Sequence, residues 1–304
     1  MRLLRFIIIP LIFIFFTSLV LSNDNNISND LVGVNIFYTT NKDDTLISIA
    51  RNYDISFADI LSANDVNMDP WIPGHNKKLL IPKSHILPFG KRDGIIINIG
   101  DLRLYYFRNG NSVESYPIGI GRSGWETPLG KAKIIKKKKD PIWIPPESVR
   151  KEDPSLPKVV AAGEDNPLGN RALYLSIPSY LIHGTNKPYG VGMNVSHGCI
   201  RLYPEDIEVL FDSVSEGVKV NIIDQPIKAG WRNRKLYIEV HSLPEYVLGK
   251  NNKDTIKKSE LYPLAYEIVQ KAAGVNITVV DWNKVKEAVA LSKGIPIEIM
   301  LANK

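Results

Sequence analysis

One cysteine in 304 residues leaves no partner for a disulfide within the chain and removes every zinc site built on paired thiolates. Four methionines and five histidines offer little more for a soft-metal cluster. No apolar run beyond residue 21 is long enough to cross a bilayer. No internal repeat of useful length occurs, which removes solenoids and propellers. Aromatic residues are 9% of the chain and are not interleaved with basic ones, so a nucleic-acid surface has no support. Neither sign of charge is scarce. Lysine and arginine number 38 against 32 acidic residues, and the net charge of +6 favours an anionic partner. Its one dense run, Lys136-Lys137-Lys138-Lys139, reads as a solvated edge.

What is present begins with an export signal. Arg2 and Arg5 supply a positive start, and the sixteen residues from Phe6 to Leu21 are almost wholly apolar. Val20 and Ser22 precede a cleavage point at Asn23, which makes residues 1–22 a signal peptide. The alternative is an uncleaved membrane anchor, although the run is shorter than the ~20 residues of a spanning helix and Pro10 interrupts it. Either fate carries the remainder out of the cytoplasm, where thiols pair readily. A solitary thiol kept in such a compartment points to chemistry.

Three stretches follow. Within residues 37–82, Leu46, Ile49 and Ala50 fall at helical spacing behind Asp43-Asp44, and Ser56 caps a second short helix. Leu79-Leu80-Ile81 is a strand stopped by Pro82, so the stretch reads strand, two helices, returning strand. A linker with Pro88 and Gly90 leads to Gly94, where the period changes to two. Ile95-Ile96-Ile97 and Ile99 are followed by Leu102, Leu104 and Tyr106, and Asn109-Gly110 marks a hairpin turn. More short apolar runs at residues 116–120, 131–135, 172–175, 180–182 and 218–223 predict a β-sandwich or barrel spanning residues 93–224. Residues 141–170 are proline-rich and long for a loop, and loops of that length tend to be functional or disordered. Pro204, Glu205 and Asp206 suit a first helical turn, and Ile207, Leu210, Phe211 and Val214 form its apolar face. Residues 229–304 read as a small α/β unit. Leu236, Ile238 and Val240 alternate as a strand, and helices are predicted at 259–273 and 281–293, the second capped by Asp281 and ended by Gly294. Strands are predicted at 277–280 and 295–300. This unit shows no chemistry.

The chemistry sits in Ser196-His197-Gly198-Cys199-Ile200-Arg201-Leu202, with His183 ahead of it at the end of Tyr180-Leu181-Ile182. A cysteine attacks as thiolate, and His183 is the residue a strand end would deliver as its general base. Backbone N–H groups of Gly198 and Cys199 are donors without side-chain bulk, as a developing oxyanion needs. Arg201 offers a planar fork to a carboxylate. Because Gly184 follows His183, a backbone carbonyl is expected to orient the imidazole. Plainer readings stand beside these: an inert buried thiol, a satisfied loop histidine at His197, a structural ion pair at Arg201. His183, His197 and Cys199 lack the paired spacing of a zinc site. Gly119-Ile120-Gly121-Arg122-Ser123-Gly124 matches a dinucleotide fingerprint, but Pro128 would break the helix that motif must open. No cofactor is expected.

Two resemblances sharpen this. Tyr38, Asp44-Thr45-Leu46, Ile49-Ala50, Asn64, Pro73-Gly74 and Leu79 to Pro82 resemble a LysM module, although His75-Asn76-Lys77-Lys78 departs from its pattern. The resemblance implies a βααβ fold that holds glycans containing N-acetylglucosamine; the alternative is a helical spacer without ligand. His183-Gly184-Thr185-Asn186 with Ser196 to Leu202, the Thr127-Pro128-Leu129-Gly130 turn and Trp143 to Pro146 resemble the YkuD-type L,D-transpeptidases of the ErfK/YbiS/YcfS/YnhG-like group. That likeness implies a periplasmic enzyme of mainly β fold acting on peptidoglycan stem peptides and glycan strands. Cys199 would be its acyl-accepting nucleophile and His183 its proton carrier. Ser196, His197 and Gly198 would shape the oxyanion and acyl pocket, and Arg201 would help hold substrate. The implied reaction releases D-alanine from a stem tetrapeptide and passes the acyl group to an amine of another stem or of an outer-membrane lipoprotein. Hydrolysis by an L,D-carboxypeptidase, or wall binding without catalysis, are the alternatives.

Overall fold

The computed structural model describes residues 29–64, 67–108, 112–241 and 258–302. The signal segment at 1–22 and the Asn109-Gly110 turn lie outside the described residues. Among those described, no helix is long and apolar enough to cross a membrane.

At the N-terminal end β1 (Ile36–Thr39) pairs antiparallel with β2 (Lys78–Ile81), and α1 (Leu46–Asn52) and α2 (Phe57–Ala63) lie between them in the chain. Both helices open with reciprocal caps, Thr45 with Ser48 and Ser56 with Asp59, which satisfy amides that a helix start leaves unpaired. The acidic pair before α1 does not cap it. Asp44 instead accepts from the Tyr38 hydroxyl at 2.7 Å and the Asn41 N–H at 2.6 Å. Leu46, Ile49, Ile60, Leu61, Leu79 and Ile81 fill the small core of this βααβ unit.

The middle of the chain forms one sheet from β3 (Gly94–Asn98), β4 (Arg103–Arg108), β5 (Ser112–Pro117), β6 (Gly130–Lys139), β7 (Arg171–Leu175), β8 (Leu181–His183), β9 (Ile200–Arg201) and β10 (Lys219–Ile223). Its order is β9-β8-β7-β6-β10-β3-β4-β5, parallel at β8–β9 and β10–β3 and antiparallel elsewhere. The predicted sandwich is a single sheet curled until its edges meet. Gly119, just beyond β5, exchanges two backbone hydrogen bonds of 2.8 Å with Arg201 in β9. Burial on both faces explains why Ile95-Ile96-Ile97 is a continuous apolar run. Ile95 and Ile97 enter the main core, whereas Ile96 joins Leu87, Tyr105 and Phe107 in a smaller cluster on the other face. Residues 141–170 contain a short helix that their prolines concealed, α3 (Glu147–Glu152). Helix α4 (Pro204–Ser213) packs Ile207, Leu210 and Phe211 into the main core as its periodicity predicts.

A third core lies between the antiparallel strands β11 (Ile227–Arg232), β12 (Lys235–Val240) and β13 (Ile297–Glu298) and the helices α5 (Lys258–Ala273) and α6 (Trp282–Leu291). Residues 277–280 are not the predicted strand. Gly274–Val279 forms a 3₁₀ turn, and only Val280 makes a bridge, to Met300. The chain must reverse between Gly274, at φ 54°, and the Asp281 cap of α6, which leaves no length for a paired strand. Context overrides the β-branched side chains. Helix α6 ends at Ser292, itself left-handed at φ 45°, two residues ahead of the expected Gly294.

This third unit is locked to the sheet by charge. Lys228, fully buried, reaches Asp101 at 2.6 Å and Glu239 at 3.1 Å, and Glu239 also meets His241 at 2.7 Å and His85 at 3.4 Å. Burial alone would strip the Lys228 proton, but Asp101 and Glu239 hold it in place and raise its pKa. Burial alone would likewise raise Glu239, yet the Lys228 charge holds it well below the usual carboxylate range. Asp101, Glu239 and His241 are close enough together to ligate a metal, but the Lys228 ammonium lies against both carboxylates. Asp101 and Glu239 therefore already have their cation.

Candidate active site

Strand alternation builds the site. Parallel pairing sets Ile182 against Ile200 and His183 against Arg201, and both isoleucines point into the main core. With a side-chain period of two, His183, Cys199 and Arg201 therefore occupy the opposite face of the sheet. There His183, Ser196, His197, Cys199 and Arg201 line one cavity of about 200 Å³.

His183 Nδ1 lies 2.5 Å from the Gly184 carbonyl oxygen, the kind of backbone partner the sequence led us to expect. A carbonyl can only accept, so Nδ1 carries the hydrogen. Burial, reinforced by the Arg201 charge, lowers the imidazole pKa to about 3, and the ring is neutral at neutral pH. Cys199 Sγ lies 3.6 Å from the Ser179 carbonyl oxygen. Burial pushes the thiol up from its ordinary value, against a backbone hydrogen bond from Leu181 and the Arg201 charge, which both pull it down. The resting pair is thus thiol and neutral imidazole.

The loop bearing the cysteine is held by hydroxyls. Ser196 Oγ donates to the Cys199 carbonyl at 2.6 Å and accepts from the Gly198 N–H at 3.1 Å. Thr127 Oγ1 donates to the Gly198 carbonyl at 2.8 Å and accepts from the Gly121 N–H at 3.1 Å. Gly198 has φ 101°, and a Cβ there would meet the Tyr180 ring at 2.8 Å, so no other residue fits. One expectation changes here. The Gly198 N–H is engaged by Ser196 Oγ at 3.1 Å and is not free to serve as an oxyanion donor.

His197 turns toward the rim. Its Nε2 meets Glu152 at 2.9 Å and Arg122 at 3.2 Å, and its ring stands edge-on to Trp125 with centroids 4.8 Å apart. Glu152 also accepts from Trp125 Nε1 at 2.9 Å and pairs with Arg122. Those contacts hold its carboxyl below the usual range, His197 contributing most. Arg201 is half-buried, which lowers its pKa, and no carboxylate among the described residues pairs with it. Its Nε has no hydrogen-bond partner, so the ion-pair alternative is not what the fold uses.

Residues 141–170 form a hood over this cavity. Their ends meet where the Asp140 N–H donates to the Asn170 carbonyl at 2.9 Å, and Trp143 and Val160 exchange backbone hydrogen bonds of 2.8 and 2.9 Å. The buried Asn166 amide donates to the Pro141 carbonyl at 2.8 Å. Trp143, Pro146, Val149 and Leu168 form the hood side of the cavity. On its other flank a cavity of about 910 Å³ shares Trp143, His197 and Arg201 with it and is lined also by Arg122, Glu152 and Lys187. Glu152, Arg122 and Trp125 escaped the sequence reading because nothing in their spacing ties them to Cys199. Thr127 was signalled only as part of a turn.

The family model described as the L,D-transpeptidase catalytic domain matches residues 92–222, and that for the LysM domain matches residues 38–73. "Probable L,D-transpeptidase YcfS" of Escherichia coli is 44% identical over 222 residues, covering 69% of each chain. "Probable L,D-transpeptidase ErfK/SrfK" of Salmonella typhimurium is 37% identical over 278 residues, covering 88% of this chain and 87% of that one. "Probable L,D-transpeptidase YbiS" of Escherichia coli is 41% identical over 221 residues, covering 70% and 72%. The solved L,D-transpeptidase 3 of Mycobacterium tuberculosis overlaps 49% of this chain and 76% of its own at 17% identity and a TM-score of 0.36, too loosely to add to the sequence relatives.

Proposed function

Because this chain belongs to the YkuD-type L,D-transpeptidase family, we propose that it acylates Cys199 with the stem tetrapeptide of peptidoglycan and passes the acyl group to an amine. What supports this reading is the cavity that joins a half-exposed thiol, a neutral imidazole and an unpaired guanidinium on one face of β8 and β9. With Nδ1 held by Gly184, Nε2 of His183 is the nitrogen free to take the thiol proton. A raised thiol and a lowered imidazole make that transfer unfavourable at rest. The proton therefore moves as sulfur attacks the carbonyl of the penultimate residue, not before. The Cys199 N–H faces the developing oxyanion. Collapse breaks the peptide bond, and His183 returns the proton to departing D-alanine, leaving a thioester. An incoming amine loses its proton to His183, attacks the thioester and restores the thiol. Arg201 holds a substrate carboxylate, and Ser196, His197 and Gly198 shape the acyl pocket through the contacts described above. The acceptor is a diaminopimelate amine, which gives a 3-3 crosslink, or a lipoprotein lysine. The site of action is the periplasm, with the N-terminal segment as export signal.

Purified protein incubated with disaccharide-tetrapeptide and followed by intact mass tests this directly. An adduct on Cys199, loss of D-alanine and a crosslinked dimer are expected, and Cys199→Ala abolishes all three. Tripeptide without dimer would reassign the enzyme as a carboxypeptidase, and activity persisting in Cys199→Ala would overturn the nucleophile.

A further inference from the structure

The run Lys136-Lys137-Lys138-Lys139, which the sequence presents as a solvated edge, lies on β6 in the middle of the curled sheet, between β7 and β10. Ala132 and Ile134 enter the main core, so Lys131 and Lys133 point to the outer face. Strict alternation would then send Lys136 and Lys138 inward. The register with β7 prevents this by shifting at Ile135: Ile134 pairs with Leu175, but Lys136 pairs with Tyr174. This bulge resets the period. Lys137 turns inward, and its Nζ donates to the carbonyls of Phe211 and, at 2.6 Å, Val214 at the end of α4. Lys136 and Lys138 turn outward and join Lys131 and Lys133. Lys219 of β10 stands directly opposite Lys133 and adds a fifth ammonium to the outer face.

This is also the face that carries the chemistry. His183, Ala172 and Lys138 form one cross-strand row, and Leu181, Tyr174 and Lys136 form the next. Lys138 therefore stands two strand spacings, ~10 Å of backbone, from His183. The lysines of β6 line neither the cysteine cavity nor the larger one beside it. The outward positions of β6, β7, β8 and β10 include no carboxylate. Asp93 pairs with Lys219 at 2.7 Å, whereas Lys131, Lys133, Lys136 and Lys138 are exposed and have no ion pair among the described residues. Like charges directly opposite each other, as at Lys133 and Lys219, cost stability. A bulge that gathers more of them onto one face leaves charge for an outside anion to neutralise. The shape of the row indicates which anion. From Lys131 to Lys138 the strand extends ~23 Å, and the row is one strand wide except at Lys219. A membrane surface calls for breadth and inserted apolar side chains, and on β6 only Ile135 is a large apolar residue left exposed. A line of compact point charges instead matches a chain whose carboxylates recur along its length. Each contact is weak alone, and several on one polymer reinforce each other through their linkage. Peptidoglycan is such a chain, because its stem peptides carry carboxylates on a common glycan.

Resting on the peptidoglycan reading above, we propose that Lys131, Lys133, Lys136 and Lys138 form a docking strip for polymeric peptidoglycan, gripping carboxylates of stems beside the one whose acyl group Cys199 takes. The strip recruits polymer and takes no part in bond making. Co-sedimentation of Cys199→Ala with isolated sacculi tests it without any acyl transfer, so its outcome stands apart from that of the thioester assay. Adding Lys131→Gln, Lys133→Gln, Lys136→Gln and Lys138→Gln to that chain is expected to weaken binding about fivefold or more, since exposed charge pairs contribute about 1.5- to fivefold each. The difference vanishes on sacculi whose carboxyls have been converted to methylamides, and toward 1 M salt, where the screening length is about 3 Å. With Cys199 intact, the glutamine variant acylates soluble disaccharide-tetrapeptide with kcat and KM unchanged, and its thermal melt matches or exceeds wild type because repulsion is relieved. Equal binding to untreated sacculi, or none, by both proteins refutes the strip, as does a loss that persists on methylamidated sacculi. Slower acylation of the soluble donor overturns it by placing the lysines in the site itself. Stronger retention on phosphatidylglycerol vesicles than on sacculi, abolished by the same substitutions, overturns it in favour of a membrane.

Discussion

Replacing Thr127 by valine removes one hydroxyl and keeps the side chain's shape. That hydroxyl joins the Gly121 N–H to the Gly198 carbonyl, and Thr127 is buried, so no bulk water substitutes for it. A buried donor or acceptor left unpaired costs roughly 1–3 kcal/mol. Two such groups, partly relieved by relaxation, predict a loss of about 2–4 kcal/mol in urea unfolding. The effect on catalysis comes through position. Gly198 precedes the proposed nucleophile Cys199, and a shift of order 1 Å at a reacting group can cost about a hundredfold in rate. We therefore expect kcat for acylation of Cys199 to fall about tenfold to a hundredfold in Thr127→Val, with KM little changed and Thr127→Ser close to wild type. Stability and kcat both within twofold of wild type would refute the role of this bridge.

Other outcomes follow from the charges. His183→Asn should slow acylation by about a hundredfold or more while leaving Cys199 present and alkylatable, as loss of a general base does. Because burial raises the thiol, iodoacetamide labelling of Cys199 in wild type should keep climbing into alkaline solution, with no plateau near pH 7. Unfolded His183 takes up a proton near 6.5 that the folded ring refuses until about 3, so this group's contribution to stability falls as pH drops through that window. Asp206 works oppositely. Burial raises its carboxyl from 3.8 to about 8, so the unfolded chain releases a proton that the fold retains, and stability falls as pH rises between those values. Asp206→Asn should flatten that decline in thermal melts. Lys228→Met should cost about 3–5 kcal/mol, since it leaves Asp101 and Glu239 buried without their cation, and a loss below 1 kcal/mol in denaturant titration would contradict the accounting.

Much of this was legible in the residues. Ser56 announced its helix, Ile207, Leu210 and Phe211 announced another, and Tyr180-Leu181-Ile182 announced the strand that delivers His183. Local signals of this kind survive because each depends on a few neighbouring positions. The Ile277 to Val280 run misled because the chain reverses there as a 3₁₀ turn and leaves only Val280 extended enough to bridge, to Met300. The hood helix stayed hidden among prolines. Glu152 meets Trp125, Arg122 and His197, and Arg122 meets His197, across 27 to 75 residues of chain, a distance at which no periodicity operates. Nothing in the sequence singles out Lys228, and only the fold reveals that it neutralises two acids.

The ion cluster around Lys228 bears on how the molecule comes apart. It draws Asp101 from the sheet, Glu239 and His241 from the C-terminal strands, and His85 from the stretch between the first two units. Cutting the chain after β10 would strand Asp101 with no counterion, and cutting it before β3 would remove His85 from the same knot. The core of the sheet and that of the C-terminal unit thus share a single electrostatic fastening, and heat should melt these two together in one cooperative transition.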